Sequence, residues 1–518
     1  LNIWIFAALI FVFVASFGIA TFYYRQRFPL SRKTPSYVLD TAADATVLDR
    51  HWAQINNGEP EQSALCLLQS NLDAFAARVS VARAAGRSLD LMYYMWNADL
   101  TGRLMMREVI AAADRGVRVR LLLDDLGVSM SDRIFHAIDR HPNIELRLFN
   151  PTRARENMFH RGIELVMRFR SVNRRMHNKA WIADGRALIL GGRNIGDAYF
   201  DAGEQANFRD FDVIAFGKSV SDAEKIFDDY WNSSVAVPVR SLLSRRPNKL
   251  AKLRRSMDRL SASEAAKPYL ARVESQARAA GFLMSDRLHW AMEAQVVADP
   301  PDKAAGKRRD GYNFLMETLL PVLENARETL RITSPYFIPG QKGVDSFSRL
   351  TAEGVSISIL TNSLAATDVA AVHAGYARYR KPLLTNGIKL HELRSLADNH
   401  SFSLRGSGQA SLHTKAFTRD GEIGFIGSLN FDPRSISLNT EMGVLFSSPG
   451  LVGVMDEVFI SETCREMSFE LKLNEKRRLS WTGMVKGKPR HYSTEPYASW
   501  SRRIVATVMG FLPLESQL

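Results

Sequence analysis

The chain has 518 residues, 46% of them hydrophobic and 24% charged, values that exclude a polytopic membrane protein and extensive disorder and leave room for two domains. Its two cysteines, Cys66 and Cys464, exclude a disulfide framework and a cysteine metal centre and read as buried free thiols. A formal charge of +13 points to an anionic partner, a membrane surface or a nucleic acid.

Residues 1–24 carry no charge and are mostly apolar. A helix needs about 20 residues to cross a hydrocarbon core, so a transmembrane anchor is expected there. A cleaved signal peptide would want a basic leader and a small-residue cleavage site, and neither is obvious. Arg25, Arg27, Arg32 and Lys33 follow the span at once with no basic residue before it. By the positive-inside rule the bulk of the chain then lies in the cytoplasm. Residues 25–63 read as a polar tether with one short helix near 40–54.

A first repeat is expected over 64–239. An N-cap-like Ser70 and helical apolar spacing predict a helix over 70–86, followed by a strand over 88–96, a helix over 101–114 and a buried strand over 117–123. Residues 240–310 form a basic, largely helical connector containing RRPNKLAKLRRSMDR, either a solvated helix face or a membrane-facing one. The second repeat, 311–475, runs through the same sequence of elements: a helix over 314–326, a strand over 329–337, a further helix and a strand over 355–362. Val355 lies 238 positions after Val117, its counterpart. This order predicts an α/β fold with parallel or mixed sheets covered by helices. The tail, 476–518, ends in YASWSRRIVATVMGFLPL, whose apolar run is too short to span. It reads as an interfacial helix or as a terminal helix packed on the core.

One stretch occurs twice, as HNKAWIADGRALILGGRN at 177–194 and as HTKAFTRDGEIGFIGSLN at 413–430. The offset is 236 at the histidine (413 − 177) and still 236 at the asparagine (430 − 194), so an internal duplication is the natural reading. Alternation puts His177 and Lys179 on one face of an extended segment, and His413 and Lys415 likewise. Asp184-Gly185 and Asp420-Gly421 are tight-turn signals that return the chain as a second strand, so each copy is a hairpin. The returning strand ends in Gly-Gly or Gly-Ser before an asparagine, where small residues allow close approach to a ligand.

This pattern resembles the phospholipase D superfamily, whose signature is a duplicated H-x-K-x4-D followed by G-G/S-x-N. RGVRVRLLLDD at 115–125, GGRNIGDAYF at 191–200 and TNSLAATDVAAVHAGYARYRKPLL at 361–384 narrow the likeness to bacterial cardiolipin synthases, in particular the C-type subgroup. The resemblance implies two α/β/α repeats about a pseudo-twofold axis that bring both motifs to one phosphate. It implies a catalytic set of His177, Lys179, Asp184, His413, Lys415 and Asp420, with the two aspartates behind the reacting groups as organisers. Asn194, Asn430 and Ser428 are expected to bind substrate, and no metal or cofactor is needed because the lysines supply the positive charge.

Each histidine needs a carboxylate to orient its other ring nitrogen. Glu441, 28 residues after His413, stands where the resemblance implies the partner of that ring. The same count after His177 lands on Gln205, a departure from the pattern; aligning TEMGVLF with RDFDVIAF instead places Asp210 opposite Glu441, so Asp210 is the favoured partner of His177, with Asp212 as the alternative. Tyr93, Tyr94 and Tyr336 are placed at strand ends facing the cleft or in the core, and His373 either lines the cleft or packs inside.

The function implied is phosphatidyl transfer that makes cardiolipin from phosphatidylglycerol, with phosphatidylethanolamine a second candidate substrate, through a phosphatidyl-histidine. Hydrolysis by a phospholipase D is the alternative, and a membrane-tethered nuclease a weaker one, since no basic and aromatic interleaving marks a single-strand track. The expected setting is the bacterial inner membrane, single-pass, with a cytoplasmic catalytic domain and a site complete within one chain.

Overall fold

The computed structural model describes residues 34–41, 45–56, 58, 61–152, 155, 158–203, 206–243, 247–280, 282–308, 311, 314–395 and 410–511, with positions 11, 12, 14–16, 18, 19 and 22 of the N-terminal stretch. Those N-terminal positions are helical. Among the described residues no helix is long and apolar enough to cross a membrane, and the rest of the span expected over 1–24 lies outside them.

Two sheets are built on one plan. In the first, Ser88–Tyr93, Arg118–Asp124 and Ile144–Phe149 run parallel, linked through the helices Leu100–Asp114 and Asp132–Ile138. The hairpin Ala180–Ala183 and Ala187–Gly191 then joins antiparallel, followed by Asp212–Gly217 and Ser63–Leu68. In the second sheet Thr329–Thr333, Ser356–Asn362 and Lys389–Leu393 are parallel. Ala416–Arg419, Ile423–Gly427, Met442–Ser447 and Glu293–Ala298 follow on one side in the same order, and Ser468–Leu473, Leu479–Val485 and Lys488–Tyr492 extend the other side beyond Lys389–Leu393. Runs such as RVRLLLD are buried on both faces, as a sheet covered on both sides requires.

Several strands depart from the sequence reading; Leu479–Val485 and Lys488–Tyr492, in the stretch expected as a tail, extend the second sheet. Ser63–Leu68 and Glu293–Ala298 open the two halves, yet the first was not anticipated as a strand and the second lies inside the stretch expected as connector. Alternation is weak in SALCLL because the whole strand is buried, so its period carries no signal. The connector's helices, Leu250–Ser261 and Lys267–Ala280, dock on the first half, where Leu250, Met257, Tyr269 and Val273 join the core. Nor is the whole tether loose, since Arg120 and Arg147, both buried, donate to the carbonyls of Ser36 and Thr34 at 2.9 Å each. Cys66 is buried as expected, whereas Cys464 is only half-buried.

Between the sheets lies a shared core. The helix Lys218–Asn232 from the first half packs on Glu293–Ala298 of the second, and Pro449–Thr463 of the second packs on Ser63–Leu68 of the first. Phe227, Trp231, Leu451 and Met455 meet there with Leu65, Val213, Val444 and Phe446. Each half therefore closes the other's apolar face, and the two halves dock as one body.

Each motif hairpin turns with both central residues in the left-handed region: Asp184 at φ 54° and Gly185 at 65°, Asp420 at 54° and Gly421 at 69°. That is the turn whose twist matches paired strands. The Asp184 carboxylate accepts from the backbone N–H groups of Gly86, Arg87 and Ser88 at 2.7 to 2.9 Å, and Asp420 accepts from Arg327, Glu328 and Thr329. Both sit at the far end of their strand from the histidine. They stand behind the reacting groups and fasten the hairpin to the loop that starts the neighbouring strand. Asp184→Ala removes one buried carboxylate that serves three backbone donors, the buried Ser88 among them, and chemical denaturation of the full chain should show a loss of about 2–4 kcal/mol. A change within about 0.5 kcal/mol would contradict this role.

Candidate active site

The histidines sit on arms that cross between the halves. His177 N–H donates to the carbonyl of Thr440 at 2.8 Å, and Met176 bridges Thr440 in parallel. In the mirrored place, Ala410–Leu412 pairs in parallel with Asn207–Arg209, and His413 N–H donates to the carbonyl of Arg209 at 2.7 Å. Each arm is held from its own half as well. The Asp124 carboxylate accepts from Met176 N–H at 3.0 Å, and the Asn362 amide clamps both the N–H and the carbonyl of Leu412. Asp124 and Asn362 are 238 positions apart, the offset of the strands they end, so the repeat register could have found this pair.

Because the arms pair across the halves, the carboxylates do too. His177 Nδ1 lies 2.7 Å from Glu441 Oε2, and His413 Nδ1 lies 2.5 Å from Asp210 Oδ2. Sequence spacing assigned each ring to a carboxylate of its own repeat; the residues are those expected, the pairing is reversed. Asp212, the alternative, is bound to Arg78 at 2.9 Å and Arg193 at 3.5 Å. Gln205 lies outside the described residues. With Nδ1 held by a carboxylate, Nε2 of each ring is left as the reactive nitrogen.

The glycine and serine that differ between the copies follow from the carboxylate lengths. A Cβ at Gly192 would stand 2.2 Å from Asp210 Oδ1, so the short aspartate needs the glycine to reach its histidine. The longer Glu441 leaves room for Ser428, whose hydroxyl donates to Glu441 Oε2 at 2.5 Å and accepts from Met442 N–H at 3.0 Å. Ser428 is thus a support for Glu441, not the substrate contact expected. Asn194 accepts from Met95 N–H and gives one amide N–H to Tyr199 Oη at 2.9 Å, while Asn430 makes a long contact of 3.5 Å to Ser435.

Aromatic rings wall the histidines. Tyr94 stands edge-on to His177 at 5.2 Å and over the Lys179 ammonium at 5.7 Å, whereas Tyr199 and Phe208 flank His413 at 5.3 and 5.0 Å. Tyr199 and Phe208 were missed, although Tyr199 lies in the GGRNIGDAYF stretch. Tyr93 turns into the core and meets Arg78, and Tyr336 bonds Asp368. His373 does not line the cleft; its Nε2 lies 2.6 Å from Arg380 in a buried cluster with Glu495.

The lysines are the electrostatic centre. Lys179 and Lys415 are buried, each donating to the carbonyl of its own histidine. Burial pulls Lys179 down to about 7, helped by the charge of Lys415 and opposed by Glu441. Burial likewise pulls Lys415 down to about 8 against Asp210 and Glu441. Burial and both lysine charges hold the His177 ring below its ordinary range and the His413 ring well below it. Burial pushes Asp210 up, while Glu441, though also buried, is held below the usual carboxylate range by His177 and Lys179. Four basic groups under mutual pressure in a desolvated pocket define a site suited to bind an anion.

Two duplicated α/β halves converging on one pair of histidines is the phospholipase D-like architecture. A family model described as "Cardiolipin synthase, PLD-like domain" matches residues 80–231 and 319–462, more than half of the chain. Cardiolipin synthase C of Escherichia coli (strain K12) is 40% identical over 468 residues, covering 88% of this chain and 96% of that protein. A cardiolipin synthase of Listeria monocytogenes is 24% identical over 408 residues, covering 79% of this chain and 70% of its own length. The fold is shared with the crystal structure of phosphatidylserine synthase from Haemophilus influenzae Rd KW20, at TM-score 0.54 and 13% identity, over 82% of this chain and 92% of that one. The chain belongs to the cardiolipin synthase family with PLD-like domains.

Anion binding should carry a proton signature. A bound phosphodiester, whose charge is fixed near neutrality, favours the protonated lysines and raises their pKa. Binding at about pH 8 should therefore take up protons, and affinity should fall by up to about tenfold per pH unit for each proton taken up as pH rises through the free-lysine values of about 7 and about 8. Titration calorimetry of a phosphodiester in buffers of different ionisation enthalpy reads this. Affinity unchanged between about pH 6 and about pH 9 would contradict it.

Proposed function

We propose that the chain is a phosphatidyltransferase that makes cardiolipin from glycerophospholipids. The observation that carries this is the pair of crossed contacts, His177 with Glu441 and His413 with Asp210, around two buried lysines in one chain. A phosphodiester resists displacement because an anionic phosphorus must accept a second nucleophile and release an alkoxide. Two imidazoles split the task.

In the first step His177 Nε2 attacks phosphorus, the N–P bond forms, the P–O bond to the departing headgroup breaks, and His413, protonated once the anion is bound, gives the leaving oxygen its proton. In the second step His413 Nε2 takes the proton from a hydroxyl of phosphatidylglycerol, that oxygen attacks phosphorus, and the N–P bond breaks. Lys179 and Lys415 neutralise charge that builds on the phosphoryl oxygens. The imidazoles are nearly shut from water, with side-chain exposures of 12% and 10%, which supports transfer to an alcohol over hydrolysis. Glutamate and aspartate hold the rings but do not touch the phosphorus.

Phosphatidylglycerol, with phosphatidylethanolamine as the second candidate, supplies the substrates in this reading. The 1–24 segment anchors the chain once in the bacterial inner membrane with the catalytic halves on the cytoplasmic side. The site is complete in one chain.

Lipid analysis of a bacterium lacking other cardiolipin sources tests the activity. Cardiolipin should appear with this chain and disappear with His177→Ala. Phosphatidic acid without cardiolipin would make the chain a hydrolase. A substrate whose leaving group needs no proton tests the histidine roles: His413→Ala should still form a covalent adduct and stall, and His177→Ala should form none. An adduct on His413 in the His177→Ala chain would reverse the assignment.

A further inference from the structure

We infer that the rim of the active site docks on the surface of an anionic phospholipid bilayer through two exposed apolar helix faces, one from each half. This rests on the lipid-substrate reading above and names the surface from which those substrates enter.

The first face belongs to the helix Met158–Met167, which leaves the carboxyl end of Ile144–Phe149 and leads to His177. Phe159 and Val166 are 73% and 75% exposed and lie seven positions apart, about two helical turns, so they share one side. The second belongs to the C-terminal helix Trp500–Phe511, packed on Ala370–Ala377. That inner helix follows Asp368, whose charge reaches the His413 ring. Both apolar faces therefore stand at the carboxyl ends of the strands, where the two histidine arms meet.

The C-terminal helix is fastened by one side only. Arg502 donates to the carbonyls of Leu364, Ala365 and Thr367, and Arg503 to those of Ala498 and Glu495. Arg502 and Arg503 thus point inward and hold the helix down. Outward stand Trp500, 76% exposed, with Ile504 and Val508 at four-residue steps and Val505 beside them. The helix carries no acidic residue.

Charge commits the occupant to lipid. The ribbon Leu479–Val485 and Lys488–Tyr492 shows Lys486, Lys488 and Arg490 to solvent, and its Tyr492 hydroxyl lies 3.2 Å from that of Tyr497, just before the helix. An outward tryptophan, a short apolar row and flanking cations are what an interfacial helix on an anionic surface requires. With the reacting groups buried behind the rim, docking lets a phospholipid headgroup reach them while its chains stay near the hydrocarbon.

The test uses the full chain in vesicles of phosphatidylglycerol and phosphatidylcholine, the latter brominated near the headgroup end of its acyl chains. Subtracting the Trp500→Phe chain isolates Trp500 emission, of which about half or more should be quenched. Identical quenching of the two chains would overturn the proposal. The double variant Ile504→Glu, Val508→Glu should turn over vesicle-borne substrate at least about tenfold more slowly, with a short-chain, water-soluble phospholipid within about twofold of the unaltered chain. Equal loss on both substrates would make the face structural, and no loss on either would make it idle; both overturn docking. Dissociation of a dimer by the double variant, with Trp500 unquenched, would assign the face to a second copy instead. If the unaltered chain turns over neither substrate, the reading of function fails while the quenching still decides docking.

Discussion

The structure depends on two short hydrogen bonds that run from one half of the chain to the other. A buried imidazole or carboxylate is costly unless paired, and removing one partner leaves the other stranded. Here His413 is buried and His177 nearly so, each against a carboxylate of the opposite half, with the lysine of each motif beside them. Neither half could bury its own set alone. The pairing ties the catalytic geometry to the docking of the two sheets, and the shared core of Phe227, Trp231, Leu451 and Met455 supplies the apolar area that holds them there.

The crossing follows from local backbone geometry. The arm before each histidine lies in parallel against the segment leading to the other half's carboxylate, through Met176 with Thr440 and through Ala410–Leu412 with Asn207–Arg209. Once that bridge forms, the nearest carboxylate to each ring is the foreign one. The two crossings differ in reach: aspartate on one side requires a glycine at 192, and glutamate on the other tolerates a serine at 428 that braces it. The halves are equivalent in plan and unequal in electrostatics. Glu441 is drawn below its ordinary range and Asp210 pushed above it, which distinguishes the rings they hold.

Much of this was legible in the sequence. The constant offset of 236 located both hairpins, and the strand, helix, strand order gave the sheet cores, because repeats and alternation are local signals. Asp210 and Glu441 were legible as orienting carboxylates from the family resemblance and from the match of RDFDVIAF to TEMGVLF. Their partners were not, since pairing across 264 and 203 residues is set by how the halves dock, which no local pattern encodes. Ser428 is a different case: Glu441 reaches it within the same half, from the start of the next strand, 13 residues on. Asp184 and Asp420 carry the motif's letters but hold backbone, because a turn with two left-handed residues leaves the carboxylate over the N–H groups of an adjacent loop.

The crossed pairing is tested most directly by proton resonances of the hydrogen-bonded imidazole N–H groups in the full chain with ring-labelled histidine, assigned with His177→Ala and His413→Ala. Glu441→Gln should remove or shift the His177 resonance and leave that of His413, and Asp210→Asn should do the reverse. Loss of the His413 resonance in Glu441→Gln, with that of His177 intact, would contradict the account.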